Sequence, residues 1–246
     1  MPHYHPLLPV HRPLVIAHRA GNQPARAKRA IERGVDMLEA DVWRYRKNLE
    51  VRHLKTLGPL PILWDRWELR PGWTPRLHLA ELLRETPPTI PIMLDLKGRD
   101  PNLAADILET MRQEHIEHEI VMCTRNWLHL DRIHDAGDVH RIYSVGSQQE
   151  RDAIFSRVET MEHPAVSIHH DLVTPALMRR FDEAGVTVIS WGATTRTEVD
   201  LLLSLGIDGI TVSEGPLQTW LLNERQGTLG DVSPKATESA QQGAEP

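Results

Sequence analysis

The sequence predicts a single-domain α/β fold, a (β/α)8 TIM barrel, and three observations carry that prediction. Short apolar runs centred near residues 15, 38, 92, 122, 142, 167, 188 and 210 number eight, and from residue 90 onward they alternate with helical stretches. The chain has 246 residues, the length of one such barrel. No Gly-x-Gly-x-x-Gly turn follows a strand, which argues against an open dinucleotide-binding sheet.

The elements read in order as follows. Residues 1–12 are rich in Pro and His (His3, His5, His11) without periodicity, and are expected to form an N-terminal arm. The run LVIA to Ala17 is a buried strand, and Ala25 to Arg33 is a helix stopped by Gly34. Val35 to Val42 is the second strand, and Leu49 to Leu54 returns along it. The next stretch, with Trp64, Trp67, Trp73 and several prolines, has no clean period and reads as a functional loop or lid; its tryptophans fit either peripheral lipid contact or a satellite hydrophobic cluster under the loop. A helix from Leu79 ends before Pro87, and Ile90 to Gly98 is a strand. Helices over Asn102–His115, Leu128–Asp135, Glu150–Thr160, Pro175–Ala184 and Thr197–Ser204 then separate strands at Ile120–Asn126, Val139–Ser147, Ala165–His170, Val186–Ala193 and Gly206–Ser213. Thr174 is placed to cap the helix that Pro175 begins. The barrel domain is expected over 13–225, with a polar, disordered tail over 226–246.

Composition excludes several classes. With 28 basic against 34 acidic side chains the net charge is −6, and no basic stripe fits a nucleic-acid partner. The N-terminus lacks the apolar core of a signal peptide, and no run reaches the ~20 apolar residues of a membrane span, so the expected location is cytoplasmic. Cys123 is the only cysteine, which rules out an internal disulfide, and in the run IVMC it reads as a buried structural thiol.

Chemistry concentrates at the predicted strand ends. Glu39 and Asp41 stand two apart on one strand, so their side chains share a side. Such a pair is best tolerated with a cation between them, and hard ions such as Mg²⁺ and Ca²⁺ prefer oxygen ligands. Asp95 supplies a third carboxylate, and Lys97, two residues on, offsets remaining negative charge. His18 ends the first strand and His53 the return after the second; their ordinary pKa suits general acid and base. Arg19 offers a clamp for phosphate oxygens, and Trp191, ending the seventh strand, an aromatic wall for a substrate headgroup. Arg125, Ser144, His169 and Glu214 fall near other strand ends, where structural roles are expected.

These residues resemble the glycerophosphodiester phosphodiesterase family. The matching motifs are His18-Arg19-Ala20-Gly21, Gly34-Val35-Asp36, Glu39-Ala40-Asp41-Val42, Val51-Arg52-His53, Ser190-Trp191 and Gly206 to Ile210. Three features depart from that pattern: Gln23-Pro24-Ala25-Arg26 replaces a Pro-Glu-Asn-Thr element, Leu54 replaces an aspartate, and Asp95 replaces a glutamate. Asp95-Leu96-Lys97 is similar instead to the sphingomyelinase D group. The resemblance implies a barrel, a divalent metal on Glu39, Asp41 and Asp95, and His18 and His53 as acid and base. The implied reaction is hydrolysis of a glycerophosphodiester or related lipid-derived phosphodiester. Two alternatives stay open: transfer within the substrate to give a cyclic phosphate, and a barrel that binds phosphodiesters without turnover.

Overall fold

Alternation along the strands decides the architecture. In the computed structural model, which describes residues 13–56, 60, 62–65, 68–133 and 139–230, eight strands pair side by side and in parallel. They are β1 (Leu14–Ala17), β2 (Met37–Tyr45), β3 (Ile92–Lys97), β4 (Ile120–Thr124), β5 (His140–Val145), β6 (Ala165–His169), β7 (Thr187–Trp191) and β8 (Gly209–Val212). β1 pairs with both β2 and β8, which closes the barrel and leaves these eight without an open edge. Residues 1–12 with their three histidines, Trp67 and residues 231–246 lie outside the described residues.

Two apolar layers follow from the period of two. Leu14, Ile16, Met37, Met93, Val121, Cys123, Ile142, Ala165 and Ile189 form a separate buried cluster that fills the barrel. The alternate residues, such as Val15, Leu38, Leu94, Met122 and Val188, join the larger cluster beneath the helices. Each fully buried Leu or Ile contributes about 1.5–3 kcal/mol. Phe181, fully buried, stacks on Phe155 at 5.2 Å in that outer layer.

Helices start where caps allow. Thr174 Oγ1 accepts from Leu177 N at 3.2 Å, and Pro175 begins the helix Pro175–Glu183 as expected. Thr195 and Glu198 form a reciprocal capping box on Arg196–Ser204. At the opposite end of the strands, the two Gly-x-Asp motifs do the same work twice. Gly34 (φ +81°) and Gly206 (φ +80°) turn the chain out of a helix through the left-handed region. Two residues later Asp36 accepts from Val15 N at 2.8 Å, and Asp208 accepts from Val188 N at 2.7 Å.

Three expectations change. The Trp-rich stretch is built rather than loose: Lys55–Thr56, Ile62–Trp64 and Leu69–Pro71 pair as a small antiparallel sheet. Pattern reading missed it because its strands are two or three residues long. The helix predicted from Glu150 is two pieces, Gln148–Ala153 and Phe155–Val158. The last helix, Pro216–Gly230, continues past Arg225, where the sequence placed the domain boundary.

Asn48–Val51 runs back along β2 and pairs with Leu77–His78. Between them sits a buried charge. Glu50, 2% exposed, accepts from Arg52 Nε at 2.7 Å and pairs with Arg76. Arg52 lies over Trp43 at 5.2 Å, and Arg76 over Tyr45 at 4.8 Å. Glu50→Ala leaves the half-buried Arg76 and the buried Arg52 without their shared anion. The expected loss is about 3–5 kcal/mol in a urea melt, and a shift below about 1 kcal/mol would contradict this reading.

Candidate active site

The inward-facing row of each strand ends at one mouth, and the residues that finish those rows are polar. A cavity of about 960 Å³ opens there, lined among others by His18, Arg19, Glu39, Asp95, Lys97 and Trp191. The cavity therefore sits at the carboxyl ends of the parallel strands, where loops can vary without disturbing the barrel.

Register between β2 and β3 assembles the acidic part. Asp41 stands directly beside Asp95, and Glu39 beside Met93. Glu39 is 3% exposed and Asp41 1%, and oxygens of Glu39, Asp41 and Asp95 lie within 4.8 Å of one another. Lys97 Nζ is 2.9 Å from Asp41 Oδ1 and also contacts Asp95. Burial, then the charges of Asp41 and Asp95, push the Glu39 carboxyl well above its ordinary range. Burial alone would raise Asp41 too, but Lys97 and the Asn22 amide outweigh it and hold it low. Asp95 is raised, chiefly by burial. Against burial, the three carboxylates hold the Lys97 ammonium far above its usual range.

The turn after β1 is pressed onto this cluster. His18 N donates to Val212 O at 2.9 Å, and its Nδ1 lies 3.0 Å from Ser213 Oγ. Burial, reinforced by Arg19, pushes His18 down to about 4, so its ring is neutral at pH 7. Arg19 is left-handed (φ +53°), uncommon for a residue with a side chain, and its N–H donates to Glu39 Oε2 at 2.5 Å. Gly21 follows because a Cβ there would lie 2.7 Å from Ala40 Cβ. Asn22 then grips Asp41 twice: Nδ2 donates to Oδ2 at 2.7 Å, and Oδ1 accepts from Asp41 N at 2.8 Å.

His53 is brought to the same end of the barrel. Its Nε2 is 2.6 Å from Arg19 Nη2, and its Nδ1 is 2.8 Å from Asp65 Oδ2. The Arg19 guanidinium thus joins the two histidine-bearing segments, and its Nε lies 3.7 Å from Asp41 Oδ2. That Nε is buried with no hydrogen-bond partner, as is the hydroxyl of Thr211 in the cavity wall. Trp191 donates to Ser167 O at 3.4 Å and meets His169 edge-on at 4.5 Å.

All eight candidate residues of the sequence, His18, Arg19, Glu39, Asp41, His53, Asp95, Lys97 and Trp191, therefore meet at one end of the barrel. Arg125, paired with Glu150 at 3.0 Å, and Ser144 line the same cavity. Glu214 turns outward to Arg26, Arg29 and Arg33; the Arg29 contact leads in holding its carboxyl down to about 2. Cys123 is buried, and burial pushes its thiol up. Sequence reading missed Asn22 and Asp65. Asn22 carried a signal, since it directly follows the His-Arg-Ala-Gly turn; Asp65 carried none, because only the hairpin brings it across.

Residues 80–214, more than half of the chain, match the model of the glycerophosphoryl diester phosphodiesterase family. The chain belongs to the glycerophosphoryl diester phosphodiesterase family. That places it among the phosphoric diester hydrolases. The match holds Asp95, Lys97 and Trp191, whereas His18, Glu39, Asp41 and His53 precede it. Solved structures extend the likeness over the whole barrel. A phosphodiesterase of Oleispira antarctica, in complex with the product sn-glycerol-3-phosphate, is 18% identical, with 87% of this chain and 97% of that one aligned at a TM-score of 0.70. The glycerophosphodiester phosphodiesterase of Parabacteroides distasonis is 18% identical over 87% and 98% of the two chains, with a TM-score of 0.68. That of Thermotoga maritima is 16% identical over 87% and 99%, with a TM-score of 0.67. At these identities the structural likeness speaks to the fold. A search of curated proteins finds no significant match. Among the described residues no helix is long and apolar enough to cross a membrane.

The clustered charge has a measurable consequence in metal-free protein. Glu39→Gln keeps the shape, removes the cost of a carboxyl that burial and its acidic neighbours push well above its ordinary range, and should raise the metal-free Tm at pH 7 by a few degrees. A lower Tm would show that Glu39 is not held against repulsion.

Proposed function

We propose that this family member hydrolyses a glycerophosphodiester, or a related lipid-derived phosphodiester, to an alcohol and a phosphomonoester. A divalent cation, Mg²⁺ or Ca²⁺, is held by Glu39, Asp41 and Asp95. The observation that carries the reading is the mutual approach of those three carboxylates, within 4.8 Å, beside two imidazoles. The donor set fits a hard cation: all oxygen, largely buried, and charged beyond what one lysine balances. When bound, the cation neutralises charge on the phosphoryl oxygens and draws electron density from phosphorus.

The chain's own groups do the rest. Arg19, whose Nε makes no hydrogen bond, and Lys97 present donors to the anionic oxygens and fix the diester against the carboxylate cluster. His18 and His53 divide the proton transfers: His18, whose ring is neutral at pH 7, takes a proton from the attacking water, and His53 gives one to the departing alcohol oxygen. Trp191 walls the cavity where the alcohol portion lies. Exposed Leu69 (70%) and Trp64 (37%) on the hairpin, with Trp73 (79%) just beyond it, offer apolar surface suited to a lipid-derived substrate.

Purified protein supplied with Mg²⁺ or Ca²⁺ should release alcohol from glycerophosphocholine or an aryl phosphodiester and lose this activity on chelation. His18→Ala and His53→Ala should each lower kcat by about 100-fold or more. Phosphorus NMR should show a phosphomonoester. A cyclic phosphate would assign the transfer reaction instead, and background activity across a metal-replete substrate panel would favour a binding barrel.

A further inference from the structure

We infer that Asp65, carried on the hairpin over residues 55–71, is a positioning residue that fixes the tautomer of His53. The inference rests on the proposed role of His53, and its geometry begins with Arg19. A guanidinium offers only donors, so the contact of Arg19 Nη2 with His53 Nε2 at 2.6 Å makes Nε2 the acceptor. Nδ1 then carries the proton and donates it to Asp65 Oδ2 at 2.8 Å. The ring is gripped from both sides in one tautomer, with its lone pair on the side of Arg19 and the carboxylate cluster.

Asp65 is itself held in place. Its Oδ1 accepts from Glu68 N at 3.0 Å, and its own N–H donates to Glu68 O at 2.9 Å. The side chain is 15% exposed. Pairing of Lys55 with Trp64 folds the hairpin back, so a carboxylate twelve residues beyond His53 returns beside it. Position 54, directly after His53, is a leucine, so the neighbouring position supplies no carboxylate. Arg52 steadies the other flank, reaching Leu54 O and Thr56 Oγ1.

The consequence for catalysis is electrostatic. Once a phosphodiester draws Arg19 to its anionic oxygens, the Nε2 lone pair is free. When Nε2 takes up the proton it gives to the departing alcohol oxygen, the imidazolium forms against a carboxylate already in place; the Nδ1 proton stays on the ring and Asp65 stays ionised. The hairpin is therefore part of the active site.

Asp65→Asn separates this role from simple support of the fold. An amide whose oxygen keeps the Glu68 contact presents an N–H to Nδ1. That demands the opposite tautomer and sets Nε2–H against the Arg19 donor. In full-length protein loaded with Mg²⁺, ¹⁵N NMR of the histidine side chains should show His53 protonated at Nδ1 in the wild type, and at Nε2 or mixed in Asp65→Asn. On an alkyl phosphodiester Asp65→Asn should lower kcat by about 100-fold with KM within about twofold, and Asp65→Glu should recover part of it. Arg70→Ala, which breaks the hairpin pair with Glu68, should leave both readouts unchanged. Wild-type kcat in Asp65→Asn, or retention of the Nδ1 proton there, overturns the inference. If the wild type turns nothing over, the proposed function fails, and the NMR result still decides the role of Asp65.

Discussion

Crowded negative charge at the end of two neighbouring strands is the constraint on which the rest of this structure depends. Glu39, Asp41 and Asp95 are drawn together by the β2–β3 register, and burial removes the water that would screen them. Lys97 is the compensating cation in contact with Asp41 and Asp95, and Arg19 adds its backbone N–H to Glu39. Such a cluster costs stability in a resting protein, a cost that natural sequences accept where a site demands it. The neighbours of the cluster show the same strain. Arg19 takes an uncommon backbone conformation to reach Glu39, and Asn22 spends both ends of its amide on Asp41.

The barrel makes this economical. Side chains alternate, so a strand that packs Met37 into the barrel interior aims Glu39 and Asp41 along the same row toward the mouth. β3 repeats the pattern with Met93, Asp95 and Lys97, and β1 with Leu14, Ile16 and His18. The lower layers are apolar and stabilise; the top layer is polar and lines the cavity. His53 arrives differently, from a strand that returns along β2 and is fixed by the buried Glu50–Arg52 pair. A second hairpin then brings Asp65 back to it.

Much of this was legible in the sequence. Eight apolar runs with helix signals between them gave the barrel, because strand and helix periods are local properties. The Gly34-x-Asp36 and Gly206-x-Asp208 motifs and the Thr174-Pro175 cap were equally local. Glu39 and Asp41 could be paired from their spacing, and His18, His53, Asp95 and Lys97 from strand ends that share one mouth. Asp65 and the small sheet over residues 55–71 escaped, since their strands are too short to show a period and their contacts join positions that no spacing rule relates. A phosphate clamp at Arg19 follows from its place beside His18, whereas its contact with His53 depends on a left-handed turn that only the folded chain displays. The split of the helix at Ile154 likewise escaped, since residues 148–158 read as one helical pattern.

The central claim is that the three carboxylates are a cation site and that Lys97 holds their charge only in its absence. A crystal grown with Mn²⁺ and measured at the manganese absorption edge tests this most directly. The account predicts one strong anomalous peak within about 2.0–2.3 Å of oxygens from Glu39, Asp41 and Asp95, with Lys97 withdrawn from Asp95. A cluster without a peak, with Lys97 still bridging Asp41 and Asp95, would contradict it.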